Sequence, residues 1–195
     1  MRPTILILAF LVPSGCLGAF AEDPPAPDAV QIRSWINDLA NSQPKRKYSS
    51  PSDRLTVAER KSLEPVKKAY AQLSKHFVAS LPYLIESLGD ERFSYPSEHP
   101  SSGVFENQSV GEACQSIIEQ KLLLQNPMLA DHRGIAVWHS LPIDKEWYSR
   151  VKAMTLFEMQ VDSLDWLLKQ PPRHGVSKEK WAEKKKASEE RRNIA

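Results

Sequence analysis

Five histidines, at positions 76, 99, 132, 139 and 174, are the first side chains in this sequence that metal or acid–base chemistry would use. No two stand at the i, i+4 spacing that places two ligands on one helix face, and neither HExxH nor CxxC occurs. Asp131-His132 and His139 fall within one irregular stretch. Joined by Asp131 or Glu119, His132 and His139 are the pair around which a hydrolase would be built. Cys114 shares a helical stripe with Ile117 and Ile118. A nucleophilic thiolate needs exposure and a basic neighbour, so this cysteine reads as core. Glu112 with Glu119, or Asp162 with Asp165, could serve as acid and base. The same spacings suit helix caps and solvated faces. Trp138, Trp147, Trp166, Trp181 and Tyr148 crowd the C-terminal half. Such aromatics can build platforms for sugars or partner chains, but at helical spacing they read as core. Nothing in these patterns specifies a cofactor or a metal.

The chain has 195 residues, 26 basic against 24 acidic, and the size of one domain. Removing residues 1–21 takes away one base, Arg2, and leaves 25 bases against 24 acids. A charge so close to zero makes no general field for nucleic acid or lipid. Lys184-Lys185-Lys186 and Arg191-Arg192 make the tail locally basic, but Glu183, Glu189 and Glu190 interrupt that charge, which argues against nucleic-acid contact there as well.

Residues 1–21 read as a signal peptide. Arg2 precedes an unbroken apolar run of eight, Ile5 to Val12, and Ala19-Phe20-Ala21 then offers the small-x-small pattern of a cleavage site. Eight residues are far short of the roughly 20 that span a bilayer, so no transmembrane segment is expected. Val12-Pro13-Ser14-Gly15-Cys16 resembles a bacterial lipobox, with proline where leucine is usual. Two addresses follow: a periplasmic or extracellular protein cut after Ala21, or one tethered to a membrane through acylated Cys16. In either case Cys114 is the one cysteine left with a thiol, no internal disulfide is possible, and stability must come from packing.

The elements that would position these groups are helices. Residues 22–54 make an N-terminal helix, capped by Asp28, and a polar linker. Residues 55–170 make a helical core, and 171–195 a charged C-terminal helix or solvated tail. Thr56-Val57-Ala58-Glu59 and Ser109-Val110-Gly111-Glu112 are capping boxes. Pro65 is expected to divide the second helical region, Pro82 to kink or restart the third, and Gly89 to cap its end. The stripe Trp147, Val151, Met154, Phe157, Val161, Leu164 and Leu168 predicts one long helix after Asp144. Residues 93–108, with Phe93, Tyr95 and Phe105, read as a long loop. Aromatics displayed there would make the contact surface for a partner. Six helical segments and little strand signal predict an all-α fold, an irregular helical bundle.

The segment from Leu81 to Arg92 resembles the first helix and turn of a HEAT repeat, and Val110 to Ile118 is similar to the second helix. The connection is longer than in that repeat, and Gly111 stands where the family often carries arginine. The resemblance implies an antiparallel helix pair in an exported bacterial protein. That likeness implies an architecture and no activity. The signal segment, the helix pair and the aromatic loop together lead us to expect a non-enzymatic, macromolecule-binding or structural domain of the cell envelope, with a hydrolase using His132 and His139 as the alternative.

Overall fold

The computed structural model describes residues 26–43, 55–98, 105–128, 141–171 and 178–194. Cys16, His99, Asp131, His132, Trp138, His139, His174 and the 1–21 segment lie outside them. The protein is mainly α-helical, with seven α-helices, one π-turn and one two-stranded sheet among the described residues.

Helix α1 (Ala29–Asp38) begins where the Asp28 carboxylate accepts from the Gln31 amide at 2.7 Å. Helix α2 (Val57–Lys75) starts at the Thr56–Glu59 capping box and runs straight through Pro65, without the expected division. One ladder bond is lost there, but Leu63, Val66, Ala69 and Leu73 stay on a single buried stripe on both sides of the proline. Continuous burial outweighs the local penalty, about 3 kcal/mol for an interior proline. The chain breaks instead at His76, whose φ of −101° and ψ of 37° leave the helix before α3 (Phe77–Glu86). Pro82 lies inside α3, and Ser87 rather than Gly89 caps its end.

The stretch expected to be a long loop forms a β-hairpin: β1 (Phe93–Glu98) pairs antiparallel with β2 (Phe105–Ser109). Its register runs from Phe93 opposite Ser109 to Glu98 opposite Phe105, with an irregularity between Phe93 and Tyr95. Ser94 sits at that bulge, fully buried, and its hydroxyl donates to the Leu39 carbonyl at 2.6 Å. The Asn41 amide donates to the Phe93 carbonyl at 2.8 Å, so the hairpin is tied to the end of α1.

Helix α4 (Val110–Glu119) opens on the Ser109–Glu112 capping box. Its first two amides find acceptors beyond the helix: Val110 donates to the Arg92 carbonyl at 2.8 Å and Gly111 to the Asp90 carbonyl at 2.9 Å. The start of α4 therefore lies against the turn after α3, and these two helices pack on one another. Helix α4 continues into a π-turn (Gln120–Leu124).

The single long C-terminal helix of the sequence reading is two helices, α5 (Lys145–Val151) and α6 (Leu156–Leu168). Thr155 takes extended geometry and forms a third capping box with Glu158. The apolar spacing stays in phase across this break and conceals it, and Phe157, counted in the stripe, is 45% exposed. Helix α7 (Lys178–Ile194) is charged, yet Trp181 and Ser188 are buried and Trp181 joins the common core. It is not a wholly solvated helix. The core draws on α1 to α7 alike, with Leu39, Leu73, Leu84, Ile117, Leu122 and Leu164 fully buried at its centre.

Candidate functional site

Helix α2 and strand β1 enclose a groove of about 390 Å³. Leu63, Val66, Ala71 and Tyr70 come from α2, Tyr95 faces them from β1, and Lys67 stands on the same helix. The helical period explains the α2 wall: residues 63, 66, 67, 70 and 71 lie on one side of a 3.6-residue helix, flanking its core stripe. Tyr95 is held by the strand, and the bulge at Ser94 sets which way the chain beyond it turns.

The polar ends of both tyrosines are tied to α4 and its extension. The Tyr70 hydroxyl donates to Gln120 Oε1 at 3.0 Å, and Tyr95 shares a hydrogen bond with Ser116, one helical turn earlier. Gln120 is the first residue of the π-turn. Such turns insert a residue into a helix and recur at functional sites. With their hydroxyls engaged, the two rings contribute apolar surface to the groove.

Burial raises the Tyr70 hydroxyl well above its ordinary range, and the nearby Tyr95 adds to the shift. Burial raises Tyr95 as well, against the hydrogen bond with Ser116. Both groups are neutral at physiological pH. The groove therefore offers apolar walls, two neutral phenols and Lys67 at its rim, and neither phenol is a base or nucleophile poised near pH 7. Lys67 Nζ is engaged with Glu64 at 3.0 Å, an exposed pair worth little in stability.

The residues singled out from the sequence are scattered. Phe93 and Tyr95 are both half-buried on β1 rather than displayed on a loop, and Phe105 begins β2 opposite Glu98. Of the three, Tyr95 lines the groove. Glu112 is committed to its capping box, with Oε2 accepting from the Ser109 amide at 2.6 Å. Glu119 is half-buried and raised by burial, while Gln115 donates to it at 3.0 Å. Asp162 is paired with Arg150. Cys114 is fully buried, and its thiol is pushed up to about 12 by burial, with Asp90 nearby. Trp147 and Trp181 are core, and Tyr148 and Trp166 pack against it half-buried. No group of three or more His, Cys, Asp or Glu side chains among the described residues could hold a metal ion. No helix among them is long and apolar enough to cross a membrane.

Tyr70, Gln120 and Ser116 are the members of the site that the sequence reading passed over. Tyr70 follows Val66 and Ala69 at helical spacing and so blends with the apolar side of α2, although a phenol amid aliphatic residues needs a polar partner when half-buried. That need was the available signal. The groove and its surroundings define a mainly α-helical domain with an aromatic-walled concavity, a class set by architecture rather than by reactive groups. No family model, curated protein or solved structure matches the chain.

Proposed function

We propose that this protein is an exported, non-enzymatic binding domain of the cell envelope that holds an apolar segment of another macromolecule between α2 and β1. The observation that carries this reading is the groove itself, with Tyr70 and Tyr95 anchored from behind by Gln120 and Ser116. Two preset aromatic rings supply large contact area at low cost in side-chain entropy, which is why tyrosine is enriched where proteins meet. Lys67 at the rim would add selectivity for a segment carrying a carboxylate. The neutral state of both phenols at physiological pH suits recognition and supplies no acid–base pair. Export rests on the N-terminal charge, the Ile5–Val12 run and the Ala19–Ala21 pattern, with cleavage after Ala21 and acylation of Cys16 as the two routes. Mass spectrometry of the mature N-terminus distinguishes those routes.

A photo-crosslinking residue at Ala71, exposed in the groove, tests the reading in cells of the native host. A discrete protein adduct is expected at Ala71 and not at Val57, which is 75% exposed outside the groove. The Ala71 adduct should fall at least about fivefold on Tyr95→Ala, the loss of an aromatic anchor worth about 1 kcal/mol or more. Its yield should be flat from about pH 6 to 9, because burial keeps both phenols protonated past their ordinary range near pH 10. Equal labelling at Val57, or indifference to Tyr95→Ala, would remove the proposal.

A further inference from the structure

A second concavity, of about 570 Å³, lies between α1 and α2. Four of its six α2 residues, Lys61, Pro65, Lys68 and Gln72, fall at intervals of three and four on nearly the opposite side of the helix from the tyrosine groove, with Glu64 and Ala69 flanking them. The two sites therefore share a helix and no lining residue. Helix α1 contributes Trp35 and Asp38.

Trp35 is the fixed part of this site. Its indole packs against the core and stacks on the His76 imidazole, with ring centroids 5.6 Å apart and planes 19° from parallel. His76 marks the break between α2 and α3, so the ring that backs the indole is held by two helices. Of the polar lining, Glu64 is paired with Lys67 at 3.0 Å, while two other groups stand apart from such pairs. The Asp38 and Gln72 side chains are exposed, and neither has a hydrogen bond or ion pair to another described residue.

Charge decides what such a surface would take. Asp38 and Glu64 stand against Lys61 and Lys68, so the lining carries no net charge and holds neither a polyanion nor a polycation. What remains is an indole beside groups that match hydroxyls, the Asp38 carboxylate and the Gln72 carboxamide. A pyranose has the complementary shape, an apolar C–H face edged by equatorial hydroxyls. In a β-1,4-linked glycan those faces align along a flat ribbon. The volume lies inside the range of about 300–1,000 Å³ found for small-ligand sites.

We infer that the α1–α2 groove is a saccharide-binding subsite, in which Trp35 stacks on the C–H face of a β-linked pyranose while Asp38 and Gln72 engage its hydroxyls. It is independent of the protein-binding reading of the tyrosine groove, and either can fail alone.

Calorimetric titration of the full chain with triacetylchitotriose and with cellotriose is the test. Saturable binding of at least one trisaccharide is expected. Gln72→Ala and Asp38→Ala should each weaken it, by up to about tenfold for one lost hydrogen bond. Both residues are exposed, so neither change threatens the fold. Trp35→Phe, which keeps a ring against His76, should weaken binding several-fold with an unaltered circular dichroism spectrum. The inference is overturned by absence of heat for both sugars up to about 10 mM, a level that would register even millimolar affinity. It is equally overturned by binding that all three substitutions leave unchanged.

Discussion

Among single residues, Gly111 carries the narrowest tolerance. A Cβ built on it would lie 2.2 Å from the Leu88 carbonyl oxygen and 2.8 Å from the Leu88 carbonyl carbon, both backbone atoms that cannot swing aside. The same close approach lets its amide reach the Asp90 carbonyl. Glycine is needed here for contact between two backbones, not for an unusual dihedral. Gly111→Ala is expected to lower stability by about 1–3 kcal/mol, the usual cost of forcing atoms into a packed site. Gly89→Ala, with nothing within 4 Å of the new methyl, is the internal comparison and should shift the urea midpoint far less. Similar shifts for the two would refute the contact argument. In the sequence Gly111 registers only as a departure from the HEAT pattern, because its constraint comes from a turn some twenty residues earlier. The Ser109–Glu112 box beside it is legible at once, since both of its partners lie within four residues. The site divides the same way: Tyr95 could be picked out as an aromatic, but its opposite wall on α2 could not.

The elements were readable where one signal governed them and misread where two agreed by accident. Apolar period and capping residues place α1, α4 and the start of α2, though Pro65 suggests a division that α2 does not make. They miss the α5–α6 break, because Thr155 interrupts the backbone without shifting the phase of the stripe. The hairpin was hidden by Pro96 and by polar composition, both ordinary marks of a loop. Least legible of all is the π-turn, whose support comes from distant side chains. A π-turn leaves carbonyls without their usual partners. Here Gln160 Nε2 donates to the Lys121 carbonyl at 2.9 Å, and Asn126 Nδ2 bridges the Leu122 and Gln160 carbonyls at 3.1 and 2.9 Å. Helix α6 thus holds the turn that presents Gln120 to Tyr70. Gln160→Ala should cost about 1 kcal/mol, the lower end of the penalty for orphaning an acceptor, because the Lys121 carbonyl is only partly buried. It should also speed amide hydrogen exchange across 120–126 more than in α2 or α3. Uniform acceleration across the fold would show that Gln160 contributes general packing and not specific support of the turn.

At the scale of the whole molecule, segments that read as flanking pieces share the central core. Helix α1 supplies Ile32, Ile36 and Leu39, and α7 supplies Trp181. Composition concealed the role of α7, since its two large apolar residues suggest a solvated helix and one of them, Ile194, is 86% exposed. A single well-placed indole is enough to dock it, with Ser188 buried two turns further on. The i, i+4 pairs Lys185–Glu189 and Lys186–Glu190, each at 4.0 Å, give a helix of 17 residues only marginal independent stability. Docking and helicity should therefore be lost together. Trp181→Ala is expected to cost about 3–5 kcal/mol at the α7 contact. Because α7 has little stability of its own, that loss should appear as local opening. Trypsin should then cut at Lys184, Lys185 or Lys186 well before it cuts in α2 or α5, with most of the helical circular dichroism retained. If the variant instead unfolds in one step with all sites cut together, α7 is an integral part of the cooperative core. If it is cut no faster than the parent chain, Trp181 is not what holds the helix down.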